Sequence, residues 1–333
     1  MTNLDTKTQN NTSGNIALDN LHQPVLLGPI LDIFQQEVLS TVKSASVFDG
    51  TFGGGSYSQA LLNLSSLISP SDSKNNLEIK LWSTDLDPAA KILALNFTST
   101  NFKFVASNFA DQIQEFKDDF LDLAVLDLGF SSNQLELGQL GFSYLQTDQL
   151  FDLRFNPEEG TPAYKYICGQ TVDKLGRTIF QYSGETMARR IAESLITTCK
   201  SGKFTNQDIA EAILQVIPAK LKHKKYSIYS RIWQALRIAV NDEFGALETF
   251  LACCPGKIKV GGLIAIVCFH SLEDKMVTKK FRDLAKPEEI DEYGNKQISW
   301  KLLTAHPITA SPEELDKNNR ARSATLRIIK RLL

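Results

Sequence analysis

The sequence has few residues that bind metals or form disulfide networks. It contains four histidines and five cysteines, an odd number, and no two cysteines form a C-x-x-C pair. Paired thiols at such spacings are typical of zinc sites and disulfide frameworks, so we expect neither in this protein. Single buried thiols in a reducing compartment fit the pattern. We therefore predict no metal site and a cytoplasmic location.

Long apolar runs are also missing. No stretch reaches the ~18 apolar residues that a membrane-spanning helix needs, and we predict no membrane segment. The first twenty residues are polar and lack the apolar core of a signal peptide. We predict that residues 1–20 form a disordered tail. Hydrophobic residues make up 43% of the 333 residues, which is enough for a large apolar core, and charged residues make up 22%.

Short buried strands alternate with helical segments, which is the pattern of an α/β sheet. The predicted strands are 44–50, 77–87, 102–109, 121–132, 261–271 and a last one in SATLRIIKRL. Between 136 and 230 the sequence is helical, with no convincing strand. We therefore predict a helical subdomain at 136–230, inserted into a sheet domain formed by 21–135 and 231–333. One long amphipathic helix over 231–254 is expected to return the chain to the sheet.

Glycines, acids and aromatic residues follow several of the predicted strands. They are Asp49 to Tyr57, Asp85, Phe109 and Asp127 to Gln134. In an open parallel sheet, ligands bind beyond the carboxyl ends of the strands, near the point where the strand order reverses. We expect these residues to line one crevice.

The glycine loop DGTFGGGSYS (49–58) is compatible with several ligands. A dinucleotide loop needs G-x-G-x-x-G, and Ser58 stands where the third glycine would be. A phosphate-binding P-loop needs G-K-[ST], which the sequence does not contain. The remaining interpretations are a loop around a nucleoside cofactor, with Asp85 accepting hydrogen bonds from ribose hydroxyls, or a tight turn alone. The combination with Asp85 and Asp127 favours the cofactor loop.

Basic residues form two clusters, although the net charge is only -2. The first cluster lies in 219–231, together with Tyr226 and Tyr229, and the second lies near the C-terminus. Their cations are Lys220, Lys222, Lys224, Lys225 and Arg231, and Lys317, Arg320, Arg322, Arg327, Lys330 and Arg331. Cations mixed with aromatic rings suit a phosphate backbone with stacked bases. A solvated charged surface is the alternative for each cluster.

Nine motifs, in order along the chain, resemble those of a known family. They are HQPVLL (22–27), DGTFGGG (49–55), DLDP (85–88), DLGFSSNQL (127–135), GFSY (141–144), SGETMARRIA (183–192), RIWQALRIAVNDE (231–243), FHSLED (269–274) and NNRARSATLR (318–327). Together they resemble the bacterial 16S ribosomal RNA cytosine-N4-methyltransferase family, of the RsmH (formerly MraW) type. The resemblance covers nearly the whole chain. FHSLED and RARSA beside DLGxSS are specific to the family, whereas the glycine loop alone is not.

The resemblance implies a class I S-adenosylmethionine-dependent methyltransferase fold with an inserted helical domain. The implied substrate is a cytidine in the decoding region of 16S ribosomal RNA in the small subunit, and a homodimer is left open. By position, the family's cofactor contacts fall on Gly55, Ser56, Tyr57, Asp85, Phe109, Asp127 and Gln134. The role of Gln134 comes from the resemblance alone.

Methyl transfer to cytosine N4 needs a proton acceptor, because the amine is a poor nucleophile whose lone pair is delocalised into the ring. We assign this role, as a hypothesis, to Asp127 or a nearby backbone carbonyl; the alternative is that Asp127 only orients the cofactor's methionyl amine. The target base must leave its stack. Phe130, Phe142 and Tyr144 are candidates for stacking on it, with core packing as the alternative. His270 is either structural or part of the RNA-facing pocket.

Several motifs depart from the family pattern. Ser56 and Tyr57 replace a glycine and a histidine of the loop, Leu140 replaces an arginine, and SIYSR replaces HPATR before the long helix. These changes leave the cofactor affinity open. A non-catalytic RNA-binding or ribosome-assembly factor that retains the fold is therefore a second hypothesis. A nicotinamide-dependent oxidoreductase is disfavoured by the missing third glycine.

Overall fold

The computed structural model of the chain describes residues 24–68, 77–130, 140–287, 289–290 and 296–333. The strands are β1 (Ser44–Asp49), β2 (Glu78–Asp85), β3 (Phe102–Ala106), β4 (Leu121–Asp127), β5 (Ile258–Cys268), β6 (Glu289–Ile290), β7 (Lys296–Gln297), β8 (Trp300–Leu302), β9 (Ile308–Thr309) and β10 (Thr325–Arg331). The main sheet has eight strands in the order β3-β2-β1-β4-β5-β10-β8, with β9 paired to β10, and β6 and β7 form a separate pair.

The first five strands are parallel, and β10 runs antiparallel to β5. Along the chain, β2 pairs with one side of β1, and β3 then pairs with the outer side of β2. The chain next crosses back, and β4 pairs with the other side of β1. The strand order therefore reverses between β1 and β4. The predicted α/β sheet is confirmed, and the reversal places the carboxyl ends of β1 and β4 side by side.

The helices surround this sheet and form a second group beside it. They are α1 (Leu27–Phe34), α2 (Ser56–Ile68), α3 (Pro88–Ala94), α4 (Phe109–Glu115), α5 (Ala163–Cys168), α6 (Val172–Ser183), α7 (Ala188–Lys200), α8 (Asn206–Val216), α9 (Lys225–Asn241), α10 (Glu243–Lys257), α11 (Ser271–Leu284) and α12 (Pro312–Lys317). A π-helical turn (Gln35–Leu39) extends α1, and 3-10 turns cover Ala219–Lys224 and Asn319–Ser323.

Both faces of the sheet are buried, and alternate strand residues serve opposite faces. In β4, Leu123 and Val125 belong to the cluster that packs under α1 and α2. Ala124 and Leu126 belong to the cluster that packs under α4, α10 and α11. This alternation follows from the two-residue period of a strand, and burial on both faces explains why the strands read as continuous apolar runs.

A separate hydrophobic cluster holds α5 to α8 and the first part of α9 together, with Leu195, Ile209 and Ile232 among its fully buried members. Residues 140–230, all of which the structure describes, contain helices and one isolated bridge between Leu150 and Thr205. The division of the chain at residues 135 and 230 stays a proposal. Helix α9 includes residue 230, and its residues before and after that position both belong to this cluster.

The single helix predicted over 231–254 is wrong, because the chain breaks between α9 and α10. Asp242 adopts a left-handed conformation with φ of 49° and ends the first helix. On either side of the break, Arg237 and Glu243 form a bidentate ion pair with N–O distances of 2.7 and 2.9 Å. A contact between these two side chains across the turn stabilises a bend that helical periodicity does not show.

Two predicted strands are shorter than expected, because capping residues start the next helices early. The Asp87 side chain accepts a hydrogen bond from the Ala89 amide at the start of α3, where Pro88 is the first helical residue. The Asn108 side chain does the same for Ala110 in α4. Phe109 therefore begins a helix rather than ending β3. Strands β8 and β9, which are three and two residues long, were not predicted.

Candidate active site

A cavity of about 650 Å³ lies at the carboxyl ends of β1, β2 and β4. Its volume is typical of small-molecule sites, and it occupies the position where the strand order reverses. The loops after the strands form one side, and residues 142–155 together with one face of α9 form the other. The crevice expected from the strand ends is therefore present, with a wall that comes from the helical part of the chain.

The glycine loop after β1 takes its shape from two left-handed residues. Gly53 has φ of 52° and Gly55 has φ of 83°, a region that side chains rarely adopt. Gly53 and Gly54 line the cavity. Gly55 faces away toward aromatic rings, since a Cβ there would lie 2.8 Å from the ring of Phe52 and 2.9 Å from that of Phe97. Gly55 thus gives the loop room to pack, while Gly53 and Gly54 face the cavity.

Asp85 fixes the end of β2 against this loop. One carboxylate oxygen accepts the Gly53 amide at 2.7 Å, and the other accepts the Asp87 amide at 2.9 Å. Burial raises the pKa of Asp85 to about 6, against the lowering effect of these hydrogen bonds. The side chain lines the cavity at the position predicted for a ribose acceptor.

Asp49 supports the loop from below and is fully buried. It accepts the Ser58 hydroxyl at 2.6 Å and the Thr51 amide at 3.1 Å. Burial raises its pKa to about 6, although the hydrogen bond from Ser58 acts in the opposite direction. Asp49 therefore ties the loop to the start of α2 and adds negative charge beneath the cavity.

Asp127, at the end of β4, carries a buried carboxylate oxygen that has no hydrogen-bond partner among the described residues. Its amide donates to the Thr51 hydroxyl at 2.7 Å, but its Oδ1 has no hydrogen bond among the described residues. Burial raises the pKa of Asp127 well above its usual range, and the charges of Asp49 and Glu273 add to the effect. An acceptor of this kind is costly unless a donor reaches it. The side chain lines the cavity, so a bound ligand can supply that donor.

Most of the predicted cofactor contacts lie around this one cavity. Ser56 is the first residue of α2, and Phe109 is the first of α4 and packs edge-on against Phe250. Both line the cavity. Tyr57 also lines it but is only 4% exposed, and its hydroxyl donates to the Val25 carbonyl, so its contacts are those of a core residue. Gln134 lies outside the described residues. For all of these residues, the role as a cofactor contact stays a prediction.

Of the three candidate stacking residues, Phe142 and Tyr144 lie on the opposite wall, and Phe130, in the loop after β4, packs against that wall. Phe130 is 39% exposed, whereas Phe142 is buried between the rings of Phe130 and Phe155, with centroid distances of 6.3 and 5.9 Å. Tyr144 is half-buried and also lines the cavity. Core packing accounts for Phe142, while Phe130 and Tyr144 offer ring surface to a ligand.

One face of α9 completes this wall, and it was missed in the sequence. Ser230, Trp233, Gln234 and Arg237 all line the cavity. Their i, i+3, i+4, i+7 spacing places them on a single helical face, which was the available signal. The Trp233 indole donates to the Gly141 carbonyl at 3.0 Å, and the Arg237 guanidinium lies 4.9 Å over the Phe130 ring.

His270 caps α11 and has mainly structural contacts. Its Nδ1 accepts the Glu273 amide at 3.3 Å, and its Nε2 lies 2.9 Å from Glu273 Oε1. Glu273 in turn accepts the Phe269 amide at 2.8 Å. The histidine ring borders the cavity and packs edge-on against Phe244. The structural interpretation explains these contacts, and a role toward RNA is not needed for them.

The two basic clusters differ in how their charges are paired. In the C-terminal cluster, three cations are bound to acids of other elements: Arg327 to Asp274, Lys330 to Glu37 and Arg331 to Asp119. In the first cluster, Arg231 is bound to Glu185 at 2.6 Å, but Lys220, Lys222 and Lys224 are exposed. Half of the cations in the C-terminal cluster are therefore used in ion pairs with other elements, whereas Arg320 lines the cavity and Arg322 is exposed. The first cluster retains Lys220, Lys222 and Lys224 on the surface.

The described residues show neither a metal centre nor a membrane helix. Within those ranges, no group of three or more His, Cys, Asp or Glu side chains is arranged to hold a metal ion. All five cysteines are free thiols. No helix in the described part of the chain combines the length and apolar character needed to cross a membrane.

Comparisons with known proteins give consistent relatives. The sequence matches the model of the MraW methylase family over residues 19–332. The ribosomal RNA small subunit methyltransferase H of Synechococcus sp. (strain RCC307) is 36% identical over 319 residues, which cover 93% of this chain and 95% of the relative. The enzyme of the same name from Magnetococcus marinus is 34% identical over 308 residues, covering 88% and 95%.

Solved structures show a weaker likeness. The crystal structure of an rRNA methylase from Streptococcus thermophilus gives a TM-score of 0.37 at 9% identity, covering 92% of this chain and 97% of that one. A likeness at this level supports no conclusion about function.

Proposed function

Because the chain belongs to the MraW methylase family, we propose that it transfers a methyl group from S-adenosylmethionine to the N4 amine of a cytidine in small-subunit ribosomal RNA. Relatives at 34–36% identity carry the name ribosomal RNA small subunit methyltransferase H. The observation that supports the chemistry best is the buried Asp127 Oδ1, which has no partner among the described residues and borders the cavity at the strand-order reversal.

The residues around the cavity fit S-adenosylmethionine. This cofactor carries positive charge on its sulfonium and its amine, and three carboxylates with raised pKa values (Asp49, Asp85 and Asp127) lie at or beneath the cavity. Asp85 would accept hydrogen bonds from the ribose, and Gly53 and Gly54 leave the loop without side chains that would obstruct a nucleoside. When bound, S-adenosylmethionine supplies an electrophilic methyl group.

We assign Asp127 as the group that accepts the amine proton. Desolvation raises the pKa of the Asp127 carboxyl group, whereas a positive charge nearby favours its ionised form. A cationic ligand in the cavity would thus favour Asp127 as an acceptor. The carboxylate would then hold the amine for attack and take its proton as the new N–C bond forms, while the S–CH3 bond of the donor would break and S-adenosylhomocysteine would leave. General base catalysis of this kind contributes about 10²- to 10⁴-fold in rate.

The opposite wall would receive the base. A cytosine must leave its stack before its amine can reach the cavity, and the exposed parts of Phe130 and Tyr144 offer ring surface for it. Residues 142–155 and Ser230 of this wall belong to the helical region at 136–230, so we propose that this region is the substrate-recognition subdomain. Holding two reactants in line lowers a barrier by about 7–11 kcal/mol, which is the main contribution expected from this wall.

A labelled-methyl assay tests the proposal. Undermethylated small ribosomal subunits are incubated with the protein and methyl-labelled S-adenosylmethionine, and the modified nucleoside is identified by mass spectrometry. We expect N4-methylcytidine, and we expect Asp127→Asn to lower the single-turnover rate at least 100-fold. The matched control is Asp111→Asn, an exposed acid in the first turn of α4.

Three results would count against the proposal in different ways. Lack of S-adenosylmethionine binding by calorimetry would remove the enzyme function altogether. Cofactor binding without transfer would favour the non-catalytic assembly factor. Wild-type turnover of Asp127→Asn would remove that residue from the mechanism while leaving the activity. The cytoplasmic location and a homodimer stay predictions.

A further inference from the structure

The cavity-lining face of α9 continues beyond the cavity. Ser230, the outermost of its lining residues, is exposed, and Tyr226 lies one turn earlier on the same face. The Tyr226 ring is 53% exposed. The same helical face that borders the cavity therefore extends outward to an aromatic ring on the surface.

Tyr226 is joined to the cavity through Tyr144. The two rings are stacked, with centroids 6.0 Å apart and planes at 27°. Tyr144 lines the cavity and also contacts Trp233 edge-on at 6.1 Å. Ring surface thus runs without interruption from the inner wall to the exterior, and buried neighbours hold its inner part in place.

Basic residues surround the outer end of this surface. Lys220, Lys222 and Lys224 lie in the exposed 3-10 turn before α9. The Lys225 ammonium lies 4.9 Å from the centre of the Tyr226 ring. The nearby Glu185 is already bound by Arg231 at 2.6 Å. The outer end therefore carries net positive charge beside an exposed ring.

We propose that Tyr144, Tyr226 and the turn Ala219–Lys224, together termed the entry surface, bind the single-stranded RNA next to the target nucleotide. This inference rests on the proposed function, because it assumes that an RNA base enters the cavity. Lysines along one edge match a phosphate backbone, and exposed rings stack with unpaired bases of any sequence. A duplex keeps its base faces covered, so the combination of rings and lysines fits a single strand.

The experiment measures the binding of a 12-nucleotide single-stranded RNA by fluorescence anisotropy at several salt concentrations. Stacking contributes about 1–3 kcal/mol per base, so Tyr226→Ala is expected to weaken binding roughly 5- to 150-fold. Tyr226→Phe keeps the ring and should retain most of the affinity. Phe180→Ala, at a 58% exposed ring on α6, is the matched control.

The charge variant replaces Lys220, Lys222 and Lys224 by glutamine. For a single strand, each lost phosphate contact lowers the magnitude of the slope of log K for binding against log salt concentration by about 0.7. Losing three contacts should therefore lower that slope by about 2. The control replaces three exposed lysines elsewhere, Lys43, Lys91 and Lys103, and has the same net charge. All variants should bind S-adenosylmethionine with wild-type affinity in calorimetry.

The outcomes separate this inference from the proposed function. If Tyr226→Ala and the lysine variant bind the RNA as tightly as their controls, the entry surface is wrong, even if methyl transfer is normal. If a duplex of the same length binds as well as the single strand and is equally sensitive to Tyr226→Ala, stacking on unpaired bases is wrong. If the wild type transfers no methyl group yet its RNA binding depends on Tyr226, the proposed function fails and the entry surface is supported.

Discussion

The Asp127 amide donates a hydrogen bond to the Thr51 hydroxyl at 2.7 Å. This bond joins the ends of β1 and β4, the two strands between which the strand order reverses. Thr51 is itself held by Asp49, which accepts its amide. The position of the Asp127 carboxylate therefore depends on a residue of the glycine loop, 76 positions earlier in the chain.

Thr51→Val keeps the shape of the side chain and removes the acceptor for the Asp127 amide. A buried amide without a partner costs about 1–3 kcal/mol, so the free energy of unfolding should fall by that amount. A shift of about 1 Å in a catalytic group can lower a rate 100-fold, and we expect single-turnover methyl transfer to fall on that scale. Thr51→Ser retains the hydroxyl and should retain activity. Equal rates in the valine and serine variants would contradict the role of this bond.

Asp85→Asn should weaken S-adenosylmethionine binding. The substitution keeps the size of the side chain but removes the charge and one of the two acceptors now used by Gly53 and Asp87. Hydrogen bonds to charged groups contribute about 1.5–3 kcal/mol, which corresponds to roughly 10- to 150-fold in Kd by calorimetry. Glu115→Gln, at an exposed position of α4, is the control. An unchanged Kd in Asp85→Asn would exclude this carboxylate from the cofactor site.

Asp49→Asn should change how stability depends on pH. Folding raises the pKa of Asp49 from 3.8 to about 6, so the folded state binds more protons than the unfolded state between these values. Stability from this group is therefore present at low pH and is lost as pH rises toward 6. The variant cannot ionise and avoids that loss. Its free energy of unfolding relative to wild type should increase from pH 4 to pH 7, by at most about 3 kcal/mol.

Chemical denaturation of both proteins at several pH values checks this prediction. The difference between Asp49→Asn and wild type should change mainly between pH 4 and pH 6 and be constant above pH 7. Asp85 remains in both proteins, and burial also raises its pKa to about 6. Both proteins should therefore retain that part of the pH dependence. A difference that does not vary with pH would show that Asp49 has an ordinary pKa in the folded state.

Gly50→Ala should destabilise the protein through overpacking. A Cβ at this position would lie 2.3 Å from Leu126 Cδ2 and 2.9 Å from Phe109 Cβ, where β1 passes beneath α4. Forcing an extra carbon into a packed core costs about 1–3 kcal/mol. Gly28→Ala is the control, because no heavy atom lies within 4 Å of its added Cβ and alanine favours helix α1. Denaturant unfolding of the two variants should shift in opposite directions.

The sequence predicted the elements that depend on local patterns. Apolar runs in β1, β4 and β5 indicated strands buried on both faces, and acids at the ends of β2 and β4 placed Asp85 and Asp127 at one edge of the sheet. The helix caps Asp87 and Asn108 could have been predicted from the sequence. Because of them, β2 and β3 end earlier than predicted. Short strands such as β8 have too few residues for a two-residue period to be visible.

The cavity wall formed by α9 was not predicted, because it depends on contacts between distant segments. The spacing of Ser230, Trp233 and Arg237 shows that they share a helical face, but not that this face borders a cavity at the ends of β1 and β4. The break at Asp242 likewise depends on a side-chain pair across a turn.

By itself, the sequence determined the sheet, the glycine loop, the family and the acids at the strand ends, because these follow from periodicity and from residues close together in the chain. Tertiary structure decided which charges are used for folding. Arg327, Lys330 and Arg331 look like part of an RNA-binding cluster, yet each is bound to an acid 53, 293 and 212 residues away, respectively. Charge along a sequence shows where cations are, and only packing shows whether an acid already neutralises them.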